Sequence, residues 1–71
     1  MVVQCKRYSH VIGSNIVREL YGSVEHEQAS KGILITTSHF SPDAVKWADG
    51  KRIELVDRKR LDELFHRYGL M

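Results

Sequence analysis

Ile33-Leu34-Ile35-Thr36-Thr37 is a short, continuous apolar and β-branched run entered through Lys31-Gly32. A run of this length and composition reads as a strand covered on both faces, the kind found inside a parallel sheet. Upstream, from about Gly13 to Glu27, Ile16, Leu20 and Val24 recur at i, i+4 and i+8 with Val17 and Tyr21 beside them. That spacing makes one apolar helical stripe, and Arg18 and Glu25 fall on the opposite face. Gly22 lies inside this helix at a cost of about 1 kcal/mol relative to alanine, so its expected use is close packing of helix on sheet. Further upstream, Val2-Val3-Gln4-Cys5-Lys6-Arg7-Tyr8 reads as a strand, followed by a turn at Ser9 and His10. In a strand Val2, Gln4, Lys6 and Tyr8 share one side, and Val3, Cys5 and Arg7 the other. Strand, helix, strand in this order predicts a parallel pair joined by a right-handed crossover.

Downstream, Ser41-Pro42-Asp43 is a helix start: a serine N-cap, proline at the first helical position and an acid favourable to the dipole. The helix is expected to run to about Asp49, burying Ala44 with Trp47 or Ala48, and Gly50 ends it. Ile53-Glu54-Leu55-Val56 forms a third, short strand expected near the sheet edge. Asp57 caps a last helix in which Leu61, Leu64, Phe65 and Tyr68 follow i, i+3, i+4, i+7, with Gly69 past its end. The fold class is therefore α/β, a single β-α-β-α-β-α domain over residues 1–71 with a small, mainly parallel sheet.

Seventy-one residues are near the size at which one hydrophobic core is only just sufficient. With 42% apolar and 28% charged residues, no apolar run approaches the roughly 18 residues of a membrane span. No secretory signal pattern opens the chain, and a cytoplasmic location without membrane association is the expectation. A lone cysteine, Cys5, excludes an internal disulfide, and with no base beside it in sequence it reads as a packing residue.

The net charge of +2 does not by itself identify a polyanion binder. Clustering is more informative. Arg58, Lys59 and Arg60 crowd the first turn of the last helix, where each opposes the macrodipole by about 0.3 kcal/mol or more. With Lys51 and Arg52 they are a candidate phosphate-contacting patch, against the plainer reading of a solvated face. A lysine in a strand such as Lys6 snorkels or serves a site, because an unpaired buried ammonium is expensive. Thr36, Thr37 and Ser38 end the central strand where open α/β sheets place their ligands, and their hydroxyls suit a phosphate, against the plainer reading that they only shape a turn. Ser41 reads first as a cap and Glu19 first as a surface acid. The histidines show no metal-ligand spacing, His26-Glu27 lacking a second histidine four positions on; only His39 neighbours the strand ends.

Val3-Gln4-Cys5-Lys6-Arg7-Tyr8, Val17-Arg18-Glu19-Leu20-Tyr21-Gly22, Lys31 to Ser38, Phe40-Ser41 and Ile53-Glu54-Leu55-Val56-Asp57 together resemble the Mrr-type restriction endonuclease domain, a branch of the PD-(D/E)XK nucleases. The resemblance runs from about Val2 to about Leu64 and covers the C-terminal half of the catalytic core. It implies a restriction-endonuclease-like fold, DNA as partner and hydrolysis of phosphodiesters, as in restriction of foreign DNA. By residue-for-residue match Lys6 is the catalytic lysine and Gln4 the polar partner where related nucleases carry an acid. The resemblance further implies Mg2+, with the main-chain carbonyl of Cys5 as a weak oxygen ligand. The family's metal-binding acid lies on a strand before the Gln-x-Lys strand and is missing here, so the chain is expected to be inactive alone. The residues expected to contact DNA are Arg7, Thr37, Ser38, Arg58, Lys59 and Arg60. The alternative is a non-catalytic nucleic-acid-binding or self-associating remnant. In the resembled fold the first strand is paired on both sides, so here its open edge predicts a homodimer formed through that strand, with Val3 and Cys5 in the shared core.

Overall fold

The computed structural model describes residues 1–7 and 10–69, and in it the elements alternate β1 (Val2–Lys6), α1 (Ser14–His26), β2 (Gly32–Thr36), α2 (Pro42–Ala48), β3 (Ile53–Val56) and α3 (Arg58–Arg67). Tyr8 and Ser9, expected at the end of the first strand and in its turn, lie outside the described residues. The three strands form one parallel sheet in the order β1-β2-β3. In register, Val2 stands opposite Gly32 and Ile53, and Gln4 opposite Leu34 and Leu55.

Alternation along the strands sends Val2, Gln4 and Lys6 to the same side as Gly32, Leu34 and Thr36. That is the face against which α1 and α2 pack. Val17, Leu20, Leu34, Ala44 and Ala48 are the buried centre, and Val2, Ile16, Phe40, Trp47, Ile53 and Leu55 pack around it. The stripe on α1 lands where its period requires, with Val17, Leu20 and Val24 buried.

Close approach of helix to sheet comes from a different glycine than the one the helix carries. A Cβ on Gly22 would meet nothing within 4 Å, whereas one on Gly32 would come 2.5 Å from Val24 Cγ2 and 3.3 Å from Leu20 Cγ. Gly22 faces away from the sheet, and Gly32 is the point at which the backbone of β2 touches α1.

The opposite face of the sheet is largely open, which corrects the expectation that β2 is covered on both sides. Ile33 and Ile35 are only half-buried. Val3 is 51% exposed, and Cys5, expected to pack, is exposed as well. The reason is topological: both crossover helices occupy one face, and α3 packs mainly against β3. Leu61, Leu64 and Phe65 of α3 are half-buried, no residue of that helix is fully buried, and Tyr68 beyond it is exposed.

The helix ends follow their capping residues. Ser41 Oγ accepts from the Ala44 N–H at 3.1 Å, and Asp57 Oδ1 accepts from the Arg60 N–H at 2.8 Å. Gly50 turns the chain out of α2 with φ +78°. At the end of α1 no glycine is present. Gln28 takes the left-handed conformation with φ 53°, and the Ala29 N–H closes the turn on the Val24 carbonyl at 2.9 Å.

Candidate active site and nucleic-acid interface

Lys6 closes β1 directly opposite Thr36, which closes β2. Lys6 is half-buried and exposes its end of the strand, while Thr36 is buried. Gln4, one pleat back on the same face, is half-buried opposite Leu34. The two loops that leave these strand ends are stitched to each other. The Ile12 N–H donates to the His39 carbonyl and the Ser41 N–H to the Ile12 carbonyl, each at 2.9 Å, a bridge that sets Ile12 beside Phe40.

Ser38 is the clasp of this arrangement. Its hydroxyl donates to the His10 carbonyl at 2.9 Å, its N–H to Thr36 Oγ1 at 3.1 Å, and its carbonyl accepts from the Arg58 N–H at 3.1 Å. A buried hydroxyl whose proton already serves a carbonyl acts on the shape of the site before it acts on a ligand. Thr37, its neighbour, is exposed and presents the free surface of the loop. Ser41 is the cap it was expected to be, and His39 and Glu19 are exposed.

Mg2+ is held by oxygen ligands among which one or two carboxylates are usual. Among the described residues no group of three or more His, Cys, Asp or Glu side chains converges. Gln4 brings a neutral amide oxygen; the Cys5 side chain is turned to the other face of the sheet from Gln4 and Lys6, so only its main-chain carbonyl is a candidate oxygen donor.

The basic residues divide differently from their order in sequence. Lys51 and Arg52 precede β3 and Arg58, Lys59 and Arg60 follow it, so a strand of roughly 13 Å separates them and they do not form one patch. On α3, Arg58 Nε lies 3.7 Å from Asp62 Oδ1 and Arg60 Nη1 3.6 Å from Glu63 Oε2. Arg52 donates to the Ala29 carbonyl at 2.8 Å and pairs with Glu25 at 3.5 Å. Lys59 and Arg7 are exposed and make no ion pair among the described residues.

Two perturbed groups lie away from these strand ends. The Lys31 ammonium, hydrogen-bonded at 2.6 Å, holds the Glu54 carboxyl below its ordinary value. A hydrogen bond to Glu25 raises the Tyr21 phenol. Sequence reasoning missed a cluster around Trp47. Its ring is met edge-on by Tyr21 at 5.5 Å, by the Arg18 guanidinium at 5.6 Å and by Lys51 Nζ at 4.2 Å. The four-residue spacing of Trp47 and Lys51 was the available signal, whereas the approach of Arg18 needed the packing of α1 on α2.

The parallel β-α-β-α-β-α arrangement is an α/β domain that places Lys6 at the end of its first strand, with Gln4 two residues before it on the same face. A family model for restriction endonuclease, of the Mrr catalytic type, matches residues 1–65. The chain is 35% identical over 63 residues to the type IV methyl-directed restriction enzyme EcoKMrr of Escherichia coli (strain K12), covering 87% of this chain and 21% of that protein. The solved structure of the DNA modification-dependent restriction endonuclease AspBHI superposes with a TM-score of 0.81 at 24% identity, over 94% of this chain and 18% of the other. The chain belongs to the Mrr-type restriction endonuclease family. It spans about a fifth of the length of the relatives it matches.

Proposed function

We propose that this chain is the lysine-bearing part of a DNA-cleaving site, in which Lys6 faces the scissile phosphodiester and Gln4 orients what lies beside it. The observation that carries the reading is the family match together with the position of Lys6 at the end of β1, beside Thr36. An ammonium there favours the negative charge that builds on a phosphate under attack, and Thr37 and Arg7 lie within the segments that follow the same strand ends. No group of three or more His, Cys, Asp or Glu converges among the described residues and Gln4 is a neutral amide where related nucleases carry an acid, so these 71 residues are not expected to cleave alone. The neutral Gln4 in that place favours the second reading, a module that binds DNA without cutting it. No helix among the described residues is long and apolar enough to cross a membrane, and a cytoplasmic setting fits a DNA substrate.

Incubated with plasmid DNA and Mg2+, the purified chain is expected to give no more nicking than its Lys6→Ala variant. Magnesium-dependent nicking that Lys6→Ala removes would show a complete site and overturn the reading of inactivity.

The outer edge of β1 and the exposed pair Val3 and Cys5 favour a homodimer built by pairing this strand with its copy. Sedimentation should give a dimer mass, and Val3→Lys should return it to the monomer. A monomer at all concentrations tested removes the proposal.

A further inference from the structure

Between α1 and α2, on the helical side of the molecule, runs a groove of about 400 Å³ lined by Ser14, Arg18, Asp43, Lys46, Trp47 and Lys51. What sets its cations apart is that three of them line one groove around a single ring, Lys6, Arg7, Lys59 and Arg67 being likewise without an ion pair among the described residues but outside that lining. Lys31, Arg52, Arg58 and Arg60 each have a carboxylate partner, whereas Arg18, Lys46 and Lys51 make no ion pair among the described residues. Trp47 organises two of them. Lys51 Nζ sits 4.2 Å above the ring centre while donating to the Trp47 carbonyl at 2.7 Å, and Arg18 lies 5.6 Å from the same ring. Cations held on an aromatic ring have already lost much of the side-chain freedom that binding an anion would otherwise remove. Asp43 is the groove's one carboxylate, which leaves the lining cationic by two charges.

Rather than the last helix, we infer that the α1–α2 groove is the track for a nucleic-acid phosphate backbone, contacted by Arg18, Lys46 and Lys51. The inference rests on the reading of the chain as a DNA-handling domain and names the surface that reading uses. Charge complementarity selects a polyanion. The ring of Trp47 is already met by two cations and the Tyr21 edge, so the contact is to phosphates and not to stacked bases, and it is independent of sequence. Ser14 and Asp43 open α1 and α2 at the end of the sheet where Lys6 stands, so a strand lying in the groove leads toward that lysine.

Trp47 is the chain's single tryptophan and reports directly on the groove. Titrating a short duplex of arbitrary sequence into the protein at low salt should change Trp47 emission in step with the anisotropy of the labelled DNA. Lys46→Glu, an exposed position, should weaken binding about tenfold while leaving the circular dichroism unchanged, and Arg18→Gln with Lys46→Gln should lower the slope of log affinity against log salt by about 2. Arg58→Glu with Lys59→Glu should change affinity less than threefold. Binding seen by anisotropy with Trp47 emission unmoved and Lys46→Glu without effect overturns the groove and leaves the DNA reading intact. No binding of duplex at low salt overturns both.

Discussion

Gly32→Val is expected to lower the unfolding free energy by about 3 kcal/mol, a large part of the roughly 5 kcal/mol available to a domain of this size. The first atom of any side chain at position 32 would stand 2.5 Å from Val24 Cγ2, with Leu20 Cγ at 3.3 Å behind it. Neither neighbour can swing aside. Val24 and Leu20 are completely buried on α1, and a β-branched valine in a helix has essentially one rotamer. The helix must therefore lift from β2, opening the contact on which both crossovers depend. Gly32→Ala should cost less but still more than 1 kcal/mol. The matched control is Gly22→Ala, where nothing lies within 4 Å and the backbone is already helical. That change should raise stability by about 0.5 to 1 kcal/mol. Urea unfolding followed by circular dichroism measures all three. Wild-type stability in Gly32→Ala would mean that α1 does not sit as close to β2 as described.

Leu34→Ala should cost between about 2 and 5 kcal/mol, because it empties the centre of the core without a route for collapse. Leu34 is the middle residue of the middle strand, fully buried, with Gln4 on one side and Leu55 on the other. Val17, Leu20 and Ala44 close over it from the helices. Its chain neighbour Ile35 offers the comparison. Pointing to the open face and only half-buried, Ile35→Ala should cost about half as much. The contrast doubles as a test of the open face. If the two substitutions cost the same, and the cost of Ile35→Ala grows with protein concentration, a second copy covers that face.

Much of the architecture was legible because it rests on periodicity and punctuation. The i, i+4, i+8 stripe of α1, the Ser41-Pro42-Asp43 start of α2, the Asp57 cap and the glycines at 50 and 69 are local signals, and each element forms where they stand. Lys6 and Gln4 on one face follow from strand alternation alone. What the chain order does not contain is which face a run of five residues shows to which neighbour. An uninterrupted apolar strand looks the same whether one or both sides are covered, so Ile33 and Ile35 were expected to be as buried as Leu34.

By itself, the sequence determined the α/β class, the parallel order of elements, the caps and the position of the lysine and amide in the first strand, because these depend on residues near one another in the chain. Its family-specific spacing pointed to the Mrr-type restriction endonucleases, which the similarity over residues 1–65 bears out. The tertiary structure alone decided that Gly32 and not Gly22 carries the close contact and that Ser38 is drawn into a clasp between two loops. It alone brought Arg18 of α1 to the Trp47 ring of α2, whereas the Arg58–Asp62 and Arg60–Glu63 pairs are neighbours four and three apart on one helix and stand in the spacing of the sequence. The physical reason is common to all of these. Steric exclusion, hydrogen bonding and Coulomb attraction act over a few ångströms, and the partners involved are brought within that range only when the helices settle on the sheet.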